Sequence, residues 1–132
     1  MEIRIGANVI EHQVKVDEGA GIVTCTVHGT LNVETAKSTA DASAVAYELG
    51  YSAIYDVSRT ELGMSIGDAY DLPRDKSALF GEPTHIPRRI AVVHPRDENL
   101  DFWRFCETTA RNSGLNVRVF DSLDEARDWC MT

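Results

Sequence analysis

Apolar positions along the chain switch between a period of two and a period of three to four. Val9 to Val16 alternates loosely, Asp17-Glu18-Gly19-Ala20-Gly21 is a turn cluster, and Ile22 to His28 is rich in Val and Thr with Val23, Cys25 and Val27 on one face. Two strands joined by a short Gly-bearing turn predict an antiparallel hairpin. Residues 2–6 can add a short edge strand. Val33, Ala36, Ala40, Ala44 and Tyr47 then follow at helical spacing, with Val45 and Leu49 widening the stripe. Asn32 suits the N-cap and Gly50 the left-handed stop. The inner face of this helix is mostly Ala, which predicts close packing on the sheet.

Ser52 to Val57 reads as a short strand. Ser65-Ile66-Gly67-Asp68 has the form of a capping box, so a second helix starts near Ile66. Pro73 interrupts it, predicting a broken or two-part helix to about Phe80. Residues 81–87 form a loop with two prolines. Ile90-Ala91-Val92-Val93 is a continuous apolar run fit for a strand buried on both faces, and Pro95 ends it. A helix follows over Leu100 to Asn112, with Phe102, Cys106 and Ala110 inward. Asn116 to Phe120 is the last strand, and Ser122-Leu123-Asp124-Glu125 opens a final helix with Ala126, Trp129 and Cys130 inside. Strands alternating with helices predict an α/β fold: a single-layer mixed, largely parallel sheet of about five strands with about four helices, opened by the hairpin. No linker or repeat divides residues 1–132, so one domain is expected.

Composition narrows the function classes. The 132 residues carry 13 Lys plus Arg against 21 Asp plus Glu, a formal charge of −8. Such a chain repels phosphate backbones and anionic bilayers. The cations that could form a local patch, Arg74 with Lys76 and Arg88 with Arg89, are few, and no nucleic-acid partner is expected. No apolar run approaches the roughly 20 residues that span a bilayer. Met1 to Ile10 lacks a basic flank followed by an apolar core, so no secretory signal and a cytoplasmic location are expected. Cys25, Cys106 and Cys130 are odd in number and far apart, which suits free, buried thiols in a reducing compartment.

Several strings resemble the STAS domain, the fold of SpoIIAA-like anti-sigma-factor antagonists and of sulfate-transporter tails. His28-Gly29-Thr30-Leu31-Asn32-Val33-Glu34-Thr35-Ala36 is similar to the family's G-E-L-D-x-x-T-A at a strand-to-helix junction. Asp56-Val57-Ser58 is similar to its D-L-S, and Val117 to Ala126 to its closing strand and E-E-A helix. The run from Phe105 to Trp129 resembles stand-alone STAS/lipid-carrier relatives. The resemblance spans nearly the whole chain from about residue 9. In the antagonists a serine in D-S-S-G, nine residues after the D of D-L-S, is phosphorylated by a partner kinase. That count from Asp56 reaches Ser65, with Gly67 at the motif glycine, Met64 in place of the acid and Ile66 in place of the second serine.

Candidate chemistry is sparse. Ser65 at a helix start is either a phosphorylation site or a plain N-cap. Asp56, His94 and Asp121 stand at carboxyl ends of parallel strands, where ligands of open sheets bind. With Ser58 or Ser65 they sketch a Ser-His-Asp set, but no G-x-S-x-G elbow is present. His12, His28, His85 and His94 have no metal-ligand spacing, and Gly63-Met64-Ser65-Ile66-Gly67 lacks the Lys of a phosphate loop. Neither metal nor cofactor is expected. Phe102, Trp103 and Phe105 cannot all face one side of a helix, which points to an apolar ligand pocket or contact patch near Tyr70, Phe80 and Trp103.

The reading is a non-enzymatic, cytoplasmic, regulatory STAS-like domain that recognises a protein partner or a small apolar molecule. Its surface would include Asp56, Ser58, Met64, Ser65, Gly67, Tyr70, Phe80 and Trp103, and a homodimer through a sheet edge or helices is compatible with it. The alternatives are an antagonist switched at Ser65 and, further out, a small hydrolase using Asp56 and His94.

Overall fold

A computed structural model describes residues 2–5, 8–74, 86–96 and 98–132. One sheet runs through it in the order β1-β2-β3-β4-β5-β6. The strands are β1 (Glu2–Ile5), β2 (Asn8–Asp17), β3 (Ile22–Leu31), β4 (Ser52–Leu62), β5 (Ile90–Val93) and β6 (Val117–Phe120). β1, β2 and β3 pair antiparallel, and β3 to β6 pair parallel. The fold class is the mixed, largely parallel α/β sheet read from the sequence, with the short β1 as its extra edge strand.

The helices are α1 (Val33–Ala42), α2 (Ala44–Glu48), α3 (Ile66–Asp71), α4 (Leu100–Asn112) and α5 (Leu123–Cys130), with a 3-10 turn at Leu72–Arg74. α1 to α4 cross between parallel strands and cover one face. Successive strands added in the same direction with crossovers of one hand require this. That face presents Val23, Cys25 and Val27 from β3, Ala53, Tyr55 and Val57 from β4, and Val92 from β5. α5 covers the other face, packing Ala126 and Cys130 on Ile22, Ile54, Ala91 and Val93.

Caps fall where the sequence puts them. Asn32 Oδ1 accepts from Thr35 N at 2.9 Å, Ser65 Oγ from Asp68 N at 3.1 Å, and Ser122 Oγ from Glu125 N at 3.3 Å. Two expectations need correction. The first helix is two, because the buried Ser43 hydroxyl sits 3.0 Å from Thr39 O and 3.2 Å from Ala40 O and ends α1 there. β4 runs on to Leu62 instead of stopping at Val57. The register slips where Thr26 faces Asp56 and His28 faces Arg59, a bulge that lets β4 continue beside β3. The two-part helix expected from Ile66 is found as α3 followed by the 3-10 turn at Leu72–Arg74, and its continuation to Phe80 lies outside the described residues.

Candidate functional site

The covered face does not pack solid. Between the sheet and α1, α3 and α4 lies a cavity of about 180 Å³ lined almost wholly by apolar atoms. Tyr55, Val57, Val92 and Val117 form its floor. Ala36, Thr39 and Ala40 of α1 form one wall, and Ala69, Leu72 and Pro73 of the α3 segment another. Trp103, Cys106 and Ala110 of α4 close the third side. The space exists because four positions on three facing helices are alanine. The Ala face expected to bring the first helix close to the sheet instead leaves room above it.

Local chemistry fixes these walls. Thr109 Oγ1 donates to Ala69 O at 3.2 Å, tying α4 to α3. Gly63 N donates to Leu31 O at 2.7 Å, and a Cβ at Gly63 would stand 2.9 Å from Thr30 Cγ2. Only glycine lets the chain leave β4 this tightly and bring Met64 onto the cavity wall. The Trp103 ring stacks on His94 with centroids 5.7 Å apart and meets Phe102 edge-on at 5.1 Å. Phe102 and Trp103 are both buried, and half-buried Phe105 packs on the same cluster, so this aromatic group belongs to the core around the cavity.

The wall's polar side chains are mostly committed. Thr39 Oγ1 donates to Thr35 O at 2.8 Å and lies 2.8 Å from His12 Nε2. Burial lowers the His12 pKa. Tyr55 Oη lies 2.9 Å from Ser43 Oγ, and burial pushes the phenol up to about 12. Burial likewise raises the Cys106 thiol to about 12, so it lines the cavity as a neutral group at pH 7.

The residues singled out from the sequence divide. Met64 and Trp103 line the cavity. Ser65 and Gly67 are exposed at the start of α3. The Ser65 amide donates to Asp68 Oδ2 at 3.1 Å, completing a capping box that sets a carboxylate beside the serine. Tyr70 is 46 % exposed and lies under the Arg74 guanidinium, away from the cavity. Phe80 lies outside the described residues. Asp56 Oδ1 accepts from Ser58 N at 3.1 Å and from Ser58 Oγ at 2.6 Å, so this pair braces the β4 bulge. Asp56 pairs with Val93 on the α5 side, whereas His94, the next residue, stacks on Trp103 on the α4 side with Nδ1 2.9 Å from Pro95 O. The Asp56–His94 set is therefore not assembled. Arg88 and Arg89, candidates for a basic patch, donate to the Cys130 and Trp129 carbonyls at the end of α5, where cations suit the helix dipole. Among the described residues no cluster of three metal-ligating side chains occurs, and no helix is long and apolar enough to cross a membrane.

A second, wider depression lies on the α5 side between β2, β3 and α5, lined by Gln13, Lys15, Thr24, Thr26 and Arg127. Its lining mixes polar and apolar atoms, so water competes for the contacts it offers. The almost wholly apolar cavity is the better site.

No family model matches the chain, and no curated protein does. Among solved structures it is similar to an uncharacterised protein of the DUF3478 family from Shewanella loihica PV-4, at 15 % identity over 97 % of this chain and 98 % of that one, with a TM-score of 0.53. That protein has a SpoIIAA-like fold. The fold here is SpoIIAA-like. The STAS resemblance of the strings around Thr30, Asp56 and Glu125 thus extends to the architecture. Sequence reasoning reached Met64 and Trp103 but missed Ala36, Ala40, Ala69 and Ala110. Their signal was small residues on helices that face one another.

Proposed function

We propose that residues 1–132 form one non-enzymatic, cytoplasmic STAS-like domain that works by holding a small apolar molecule between its sheet and α1, α3 and α4. The observation that carries this reading is the cavity of about 180 Å³, walled by side chains of three helices. A dry cavity of roughly 150 Å³ takes a benzene-sized guest. This one has room for a ring or a six-carbon fragment and not for a whole lipid. A ligand that fills it takes the apolar wall out of water, which favours binding in proportion to the area covered. The separation of Asp56 from His94 supports a binding role over hydrolysis.

The switch reading rests on the exposure of Ser65. It is the weaker of the two, because a phosphate there would face the Asp68 carboxylate in the same capping box.

The test is thermal unfolding with benzene and cyclohexane, for the native chain and for Ala40→Leu, whose added side chain occupies the cavity. Native protein at ligand concentrations far above Kd should melt several degrees higher. Ala40→Leu should fold, melt no lower than the native chain without ligand, and lose the response. Ala36→Val, a smaller filler, serves if Ala40→Leu overpacks. No shift in native protein at ligand saturation would overturn the reading.

A further inference from the structure

From His12 to Asp17 the outer edge of β2 pairs with no strand among the described residues. Which backbone groups it presents can be worked out from β3. Ser52 N donates to Gly21 O at 2.9 Å, so the Gly21 carbonyl faces β4 and the next amide, Ile22 N–H, faces β2. Ile22 is opposite Asp17 and Thr24 opposite Lys15, so Asp17 and Lys15 direct their backbone groups to β3. Val14 and Val16 then turn N–H and C=O outward, where a further strand would bond. Their side chains stand on the face covered by α1 to α4, opposite Cys25 and Val23, and both are exposed. Lys15 points to the other face, and its ammonium has no acidic partner among the described residues. The edge therefore runs apolar, cationic, apolar.

We propose that this edge takes an extended segment of another protein as an added strand, one that carries an acidic residue between two apolar ones. Backbone bonds to Val14 and Val16 hold the segment, and its alternating side chains set the specificity. In an antiparallel addition the residue opposite Lys15 falls at a non-hydrogen-bonded position, where facing side chains approach most closely. A carboxylate there pairs with Lys15, and the apolar residues on either side cover Val14 and Val16. The acid is single and central, because Glu11 and Glu18 lie at the two ends of the edge and repel further acids. A second copy of this chain fits less well. The antiparallel register that sets Val14 of each copy against Val16 of the other brings the two Lys15 side chains face to face.

The test titrates the full ¹⁵N-labelled chain with capped peptides. They are Thr-Val-Glu-Val-Thr, its analogue Thr-Val-Lys-Val-Thr, and Val-Val-Glu-Thr-Thr, which keeps the first composition without the alternation. The first is palindromic, so it pairs in either strand direction. It should move the Val14 and Val16 amide protons downfield and bind roughly two- to fivefold more tightly than the Lys peptide, the range of an exposed ion pair. The formal charge of −8 favours the Lys peptide, so net charge cannot produce this order. Lys15→Glu should reverse the order, and if that variant fails to fold, Lys15→Gln should abolish it. The inference is overturned if the native chain binds the Lys or the non-alternating peptide as tightly as the Glu peptide. It is equally overturned if the Glu peptide saturates without moving Val14 and Val16, or does not bind at millimolar concentration.

Discussion

Ser43 shows how one buried side chain sets local architecture. It is fully buried, it ends α1, and its hydroxyl is the neighbour of Tyr55 Oη at the cavity floor. Sequence periodicity passes straight over it: Ala40, Ala44 and Tyr47 keep helical spacing across the break. A serine that bonds back to carbonyls three and four residues earlier leaves no mark in that pattern. The pair yields an asymmetric expectation. Ser43→Ala strands the Tyr55 hydroxyl and should cost about 1–3 kcal/mol, the penalty for a buried group left unpaired. Tyr55→Phe leaves Ser43 bonded to Thr39 O and should cost less, below about 1 kcal/mol. The double variant should be more stable than the sum of the two predicts. Urea midpoints of the three variants check this, and strict additivity would mean that the hydroxyls do not interact. The candidate site was legible in part for the same reason. Trp103 and Met64 stand out by type, whereas the alanines that make the cavity matter only through what they face.

The two sides of the sheet are finished differently. Along β6, the outward Val117 O accepts from Arg111 Nε at 2.8 Å, and the outward Val119 N donates to Glu107 Oε2 at 2.8 Å. Side chains of α4 thereby occupy the backbone groups that an added strand would use. β2 is less protected. β1 pairs with it only as far as Glu11, so His12 to Asp17 form an outer edge among the described residues. Val14 and Val16 there are 37 % and 44 % exposed. Lys15 between them is the one charge in the middle of that edge, the device natural sheets use against edge-to-edge pairing. Lys15→Val should therefore raise concentration-dependent association above that of the native chain, measured by sedimentation. An unchanged sedimentation profile would show that the edge is covered by other means. Strand boundaries were the least legible feature at this scale. Ser58-Arg59-Thr60-Glu61 looks like a loop because it is polar, yet the Asp56–Ser58 hydrogen bonds carry β4 through its bulge. Apart from the split of the first helix, the order and type of the elements were legible among the described residues, because strands and helices kept their own periods and α1, α3 and α5 kept their caps.

At the scale of the whole molecule, the interior holds weak acids in their neutral form. Burial raises Cys25 and Cys130 from 9.0 to about 11 and Cys106 from 9.0 to about 12, and Tyr55 from 10.0 to about 12. The sequence marked the three cysteines as buried free thiols; Cys25 and Cys130 are buried and Cys106 is half-buried. The sign follows from which state holds the proton. Between about pH 9 and pH 12 the unfolded chain has lost these protons while the folded chain keeps them. Unfolding therefore releases protons, and stability falls as pH rises through that window. Below about pH 9 both states hold them and the contribution is constant. The formal charge of −8 acts in the same direction, since each further ionisation adds to a self-repelling excess. Denaturant midpoints should thus be level from neutral pH to about 8.5 and decline steeply by pH 10.5. Because Cys106 and Tyr55 line the cavity, a bound apolar guest should delay the decline, as it holds both groups away from water. A profile that stays flat to pH 11 would mean that the four groups titrate alike in both states, and that water reaches the cavity floor in the folded protein.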